Sequence, residues 1–219
     1  MRERARSAED KVRRAEDLLA AAEALALELG GVRFVTVPAV AHRAGLHRTG
    51  ARRYYANKEE LLLELAEQGW RQWRDAVKAA IGDRAGLGPE QVAAVVAQTI
   101  ASLSVFCDLL SHVAMSLEGD VDIERARRYK TNATAAAGEI VTALAQASSM
   151  TVEQLQNLLA NTATLAAGLW QASHPTPTLA ALYEQVPAWR HAALDFEPRL
   201  SLLLRATAIG LVELQRQEG

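Results

Sequence analysis

Between Gly31 and Lys58 the chain carries six basic side chains, Arg33, Arg43, Arg48, Arg52, Arg53 and Lys58, and no acidic one. Two histidines, His42 and His47, and two tyrosines, Tyr54 and Tyr55, are interleaved with them. Cations in a run without acids suit a polyanion, because each can neutralise a phosphate and release its counterion. An arginine can also fork onto guanine O6 and N7, which is worth about 1–3 kcal/mol of discrimination against the wrong base. The bland alternative is a solvated charged face without a partner. The formal net charge of -2 decides nothing, but its distribution is uneven. Residues 1–60 hold 12 Lys+Arg against 9 Asp+Glu, net +3, and residues 61–219 hold 12 against 17, net -5.

The elements that position these residues are helices. Thr36 is placed to cap a short helix with Pro38 in its first turn, ending near Ala44. Gly45 then supplies the left-handed residue of a tight turn, and a third helix is expected over about His47 to Tyr55. Val40, Ala44, Leu46, Ala51 and Tyr54 fall on the inner faces, and Ala41 sits where only a small side chain fits. Helix, glycine turn and basic second helix together make a helix-turn-helix, the unit that places one helix in the major groove of DNA. Before it, Ser7 is a plausible cap for an amphipathic helix through Val12, Leu18, Leu19, Ala22, Leu25 and Leu29 to Gly30-Gly31. After it, Asn57 opens a fourth helix with Glu60 completing a capping box, running through Leu61, Leu65, Trp73 and Val77 to about Asp83.

Beyond the loop Asp83–Pro89, a long helix is expected from Pro89 through Val113. Gly119 breaks the pattern, and a polar helix follows over about Asp120 to Ala147. Thr151 and Gln154 form a second capping box for a helix to about Ser173. A short helix covers Leu179–Gln185, and a final one runs from about Pro198 to Gln217. Half the residues are hydrophobic, much of that Ala and Leu, and β-branched and aromatic types are sparse. The fold class is therefore all-α: a three-helix helix-turn-helix head, about 1–60, and a helical bundle, about 61–219.

Here the sequence resembles the TetR family of transcriptional regulators. Thr36-Val37, Val40-Ala41, Ala44-Gly45-Leu46, Tyr54-Tyr55, Lys58-Glu59 and Leu61-Leu62 carry the likeness, which is close over about residues 14–66. Further on it is architectural: six more helices, as that family's regulatory domain would have. His47-Arg48-Thr49-Gly50-Ala51-Arg52-Arg53-Tyr54-Tyr55 is similar to one branch with a distinct C-terminal domain. The resemblance implies that Thr36 and Lys58 touch phosphates, that His47 to Arg53 face the groove, and that Tyr54 and Tyr55 lock the recognition helix. The chain departs from the family at three positions: Arg52 replaces a common phosphate-contacting Tyr, Gly50 stands where Thr is common, and Thr49 where Gly is common. Either Arg48 or Arg52 then suits guanine, while Arg43 and Arg53 fit phosphates better. Gly50 costs about 1 kcal/mol of helix propensity against Ala. It either lets the backbone approach base edges or reflects packing tolerance.

One such head makes few contacts, so a dimer on palindromic double-stranded DNA is expected. The last helix is apolar nearly all round, from Leu200 to Leu214, and needs cover on every side. In the family the last two long helices pair with their mates, which here suggests about 151–173 and 198–215. The family also places an effector pocket behind the head. Trp70, Trp73, Phe106, His112, Met115, Trp170 and His174 are candidates for its lining, each with a core or interface reading beside it. Such a pocket suits an uncharged or weakly polar aromatic or lipid-like molecule.

No phosphate loop, nucleophile elbow or metal-spaced cluster occurs, so an enzyme, a cofactor and a metal are not expected. Cys107, alone in an apolar run, is either a small core residue or a reactive thiol. The charged N-terminus and the absence of a membrane-length apolar stretch suggest a soluble cytoplasmic protein. The competing function is a helical ligand- or partner-binding module whose head no longer uses DNA. An activator rather than a repressor is not distinguished by sequence.

Overall fold

The computed structural model describes residues 2–192 and 195–218, with the side chains of 2–8, 48, 114, 190–192 and 218 outside the description. Ten α-helices occur among the described residues, with no strand. They are α1 (Arg2–Leu29), α2 (Val37–Arg43), α3 (Arg48–Ala51), α4 (Lys58–Ile81) and α5 (Pro89–Ala101), then α6 (Ser104–His112), α7 (Ile123–Ala147), α8 (Val152–Ser173), α9 (Pro177–Gln185) and α10 (Phe196–Glu218). Thr36, Asn57 and Thr151 cap their helices as expected, whereas the capping box expected of Glu60 does not close on Asn57. Thr36 Oγ1 accepts the Ala39 N–H at 3.3 Å, and Asn57 Oδ1 accepts the Glu60 N–H at 2.8 Å. The Glu60 carboxylate reaches back to the Ala56 N–H at 2.7 Å, one residue before the cap. Thr151 and Gln154 bond reciprocally at 3.2 and 2.9 Å. Each such cap contributes about 1 kcal/mol.

Several boundaries differ from expectation. α1 begins at Arg2, five residues before Ser7. The third helix is one turn, Arg48–Ala51, rather than His47 to Tyr55, because residues 52–54 continue as a turn. α7 starts at Ile123 on an Asp122 cap, and α10 at Phe196, which puts Pro198 in its first turn. The long helix from Pro89 is two, bent by 88° between α5 and α6. Neither Gly nor Pro marks that break. The freed groups at the end of α5 are satisfied locally: Ser102 Oγ donates to the Thr99 carbonyl at 2.8 Å, and the Leu103 N–H and Cys107 Sγ donate to the Ile100 carbonyl at 3.0 and 3.2 Å. No single helix among the described residues is long and apolar enough to cross a membrane.

Two buried cores lie along α4. The first gathers Leu18, Leu19, Ala22, Val40, Ala41, Ala51 and Tyr55 with Leu61–Ala66 of α4 and with Val105 and Leu109 of α6. The second gathers Trp73, Val77 and Ile81 of α4 with α5, α7, α8 and α10. Trp70 packs against both. Trp73 is fully buried, and its Nε1 donates to Thr99 Oγ1 at 3.1 Å, so no polar group is orphaned there. Polar clamps tie α4 to α7: Arg125 and Asn132 hold the buried Glu67, Arg128 holds Glu64, and Lys78 Nζ meets Glu139 at 2.7 Å.

Gly69 is the closest contact in this packing. A Cβ there would lie 2.6 Å from Phe106 Cγ and 2.9 Å from Phe106 Cβ. Phe106 Cβ is fixed to the backbone and cannot swing away, so a new χ1 rotamer of the ring would not relieve the clash. Gly69→Ala is therefore expected to destabilise the protein by about 1–3 kcal/mol, despite its better helix propensity. The denaturant midpoint measures this, and an unchanged or raised midpoint contradicts it.

Candidate functional site

The basic segment is held by one glycine. Gly45 has φ +67°, the Leu46 N–H donates to the Ala41 carbonyl at 2.8 Å, and the Gly45 N–H to the His42 carbonyl at 3.1 Å. That pair of bonds is a Schellman closure, which requires a left-handed residue at Gly45. Val40 and Ala41 are fully buried beneath it. On this unit Thr36, Arg43, His47, Thr49, Arg52 and Arg53 are exposed, and Gly50, Tyr54 and Lys58 are half-buried. The Arg48 side chain lies outside the described residues. Arg52 and Arg53 have no ion-pair partner among the described residues. A Cβ at Gly50 would meet only Leu46 Cβ, at an ordinary 3.9 Å.

Three placements have no sequence signal. His47 caps α3, with Nδ1 3.4 Å from the Thr49 N–H and 2.9 Å from Thr49 Oγ1. Arg43 forks onto Glu28 of α1 at 2.5 and 2.6 Å. That hydrogen bond, against the opposing effect of desolvation, holds the Glu28 carboxyl below its ordinary range. Lys58 Nζ donates to the Arg33 carbonyl at 2.8 Å, and partial burial lowers its ammonium. Of the two tyrosines, Tyr55 is buried in the first core, and burial raises its phenol, with charges of α4 and α7 as neighbours. Tyr54 is half-buried and packs against the edge of the same core.

Behind the head, a cavity of about 640 Å³ opens between α4, α6, α7 and α8. Its walls are mostly small: Ala133 and Ala137 of α7 face Ala163, Ala167 and Gly168 of α8. Trp70 lines one side and donates from Nε1 to Tyr129 Oη at 3.1 Å, while burial pushes the Tyr129 phenol up to about 12. Ser111, Thr134, Thr164 and Gln171 add polar groups, and Lys130 pairs with Glu118 at 2.8 Å. A π-helical turn, Val113–Leu117, borders the opening.

The seven aromatic, His and Met candidates do not line one cavity, although Trp70, Trp73 and Phe106 pack together with ring centroids 5.3–6.2 Å apart. Trp70 and Met115 line this cavity, Met115 being 86% exposed. Trp73 and Phe106 are core. His112 lies 3.7 Å from Asp108. Trp170 and His174 stack at 3.8 Å and line a separate cavity of about 230 Å³ against Gly30–Gly31 and Arg33. A search for large side chains finds core, whereas a void needs small ones facing each other across two helices, which one sequence does not pair.

Among the described residues no cluster of His, Cys, Asp and Glu could hold a metal ion. A family model described as the tetracyclin repressor-like C-terminal domain matches residues 67–214, more than half of the chain. The search of curated proteins finds no match.

Cys107 is fully buried, and burial pushes its thiol up to about 12. The native protein should therefore react with a thiol-disulfide reagent at pH 8 on the order of a thousandfold more slowly than the denatured chain. Comparable rates would place Cys107 in an opening segment.

Proposed function

The chain belongs to the tetracyclin repressor-like family of transcriptional regulators, and on that premise we propose that it is a cytoplasmic, homodimeric repressor that holds a palindromic operator until a small molecule releases it. The observation that carries this reading is the Gly45 turn presenting exposed Arg52 and Arg53 on a segment without a single acid.

In this reading α3 enters the major groove, with His47, Arg48, Thr49 and Arg52 toward the bases and Gly50 keeping the backbone close. Arg43, Arg53, Thr36, Tyr54 and Lys58 take phosphates. Lys58, tethered to the Arg33 carbonyl, retains two N–H donors for that purpose. Tyr55 positions the unit from inside the core.

The partner surface is assigned to about 151–173 and 198–215. Support comes from α10, which buries Leu200, Leu204 and Ala208 completely and leaves Leu202, Ile209 and Leu214 exposed, beside exposed Val152 of α8. Apolar groups left uncovered along a long helix call for cover. The head is about 1–60 and the regulatory unit about 61–219, with α4 shared between them.

The large cavity is assigned to the effector. Its volume falls within the range of about 300–1,000 Å³ typical of small-molecule sites, and its walls suit an uncharged, weakly polar aromatic or lipid-like ligand. Release requires only that this ligand prefer the conformation whose heads do not fit the operator.

Footprinting on fragments around the protein's own gene is the test. A protected palindrome is expected, with half-sites about 34–36 Å apart, bound by a species of dimer mass with affinity falling steeply as salt rises. No protection at low salt leaves a helical binding module without DNA. On the same fragment Gly50→Val should weaken binding while the melting temperature stays near wild type, since a side chain there meets no clash. Unchanged affinity would assign Gly50 to packing alone.

A further inference from the structure

One carboxylate joins the cavity wall to the head. Asp108 of α6 is 7% exposed, and both of its oxygens are engaged. Oδ2 accepts the Val32 N–H at 2.7 Å, in the 3-10 turn Val32–Phe34 that follows α1. Oδ1 accepts from Gln171 Nε2 of α8 at 2.8 Å. The same Gln171 nitrogen donates to Ser111 Oγ at 2.9 Å, and both Ser111 and Gln171 line the large cavity. The approach is made possible by Gly31, whose φ is +148° and whose added Cβ would stand 3.3 Å from Asp108 Oδ2. Burial alone would raise the Asp108 carboxyl, yet the His112 ring 3.7 Å away and the hydrogen bonds from Val32 and Gln171 outweigh it and hold it below its ordinary range.

We propose that Asp108 is the positioning residue through which occupancy of the cavity is felt at the head. Gln171 fixes the carboxylate from the cavity side, and the carboxylate fixes the Gly31–Val32 turn from which α2 departs. A ligand whose polar group claims the Gln171 amide removes one of two restraints on the carboxylate, and the head-side bond loosens with it. This extends the effector-cavity reading, and it needs neither operator nor effector to be tested.

The test is amide hydrogen exchange by NMR on the full-length protein, read at Val32, with the amides of α5 as internal reference. Gln171→Ala leaves Asp108 and Val32 unaltered and suits a helix. It should speed Val32 exchange by about tenfold, the scale of a lost charge-assisted hydrogen bond. Gln171→Glu sets a second carboxylate against Asp108 and should speed it further, while the α5 amides keep wild-type rates. Asp108→Asn sets the reference for a weakened head-side bond. Wild-type exchange at Val32 in both Gln171 variants, with acceleration in Asp108→Asn, would overturn the coupling and leave Asp108 a local brace. Failure of footprinting, by contrast, would sink the regulator reading without touching these rates.

Discussion

The head cannot close its own core. Val40, Ala41, Ala51 and Tyr55 come from a unit too short to bury them, and the missing wall is Leu61–Ala66 at the start of α4. Two turns later the same helix inserts Trp73, Val77 and Ile81 into the second core. A helix of 24 residues that is embedded at both ends cannot tilt at one without moving the other. The remaining architecture follows from that constraint. α6 must lie across α4 closely enough that Gly69 has no room for a side chain, and α7 must be tied alongside through Glu67, Arg125 and Asn132. A buried ion pair of this kind contributes little net stability against a hydrophobic alternative, but breaking one partner is costly, so it fixes register.

The parts of the fold legible in the sequence are those with local causes. Thr36, Asn57 and Thr151 start helices because their side chains satisfy N–H groups two or three residues on, and Gly45 ends one because the turn demands its conformation. The exposed basic segment was legible for the same reason. The bend at Ser102–Leu103 was not, because apolar periodicity runs straight through it. There Trp73 holds Thr99 from across the core, and Cys107 and Leu103 take up the carbonyl that the bend frees. The cavity was hidden for a related reason. It exists where alanines of two distant helices face each other, and nothing in either helix alone distinguishes them from ordinary helix formers.

Polar contacts at the head show the same division. Lys58 was recognisable as a cation, but its bond to the Arg33 carbonyl spans 25 residues. Asp108 reads in sequence as one acid in an apolar run. Only in the folded chain does its buried carboxylate find one donor on α8 and another in the turn after α1, with His112 of its own helix 3.7 Å away.

The fork between Arg43 and Glu28 bears on how such a surface would meet a nucleic acid. A duplex holds condensed cations, and a protein cation that neutralises a phosphate sets them free, which is the entropic reward of the contact. Arg43 instead carries an anion covalently attached to its own chain. Trading Glu28 for a phosphate frees the cation that phosphate held, but it leaves the Glu28 carboxylate unpaired beside the duplex, where it holds a cation back. Arg43 would therefore contribute less to salt sensitivity than its position suggests, acting as a selector of geometry rather than a general adhesive.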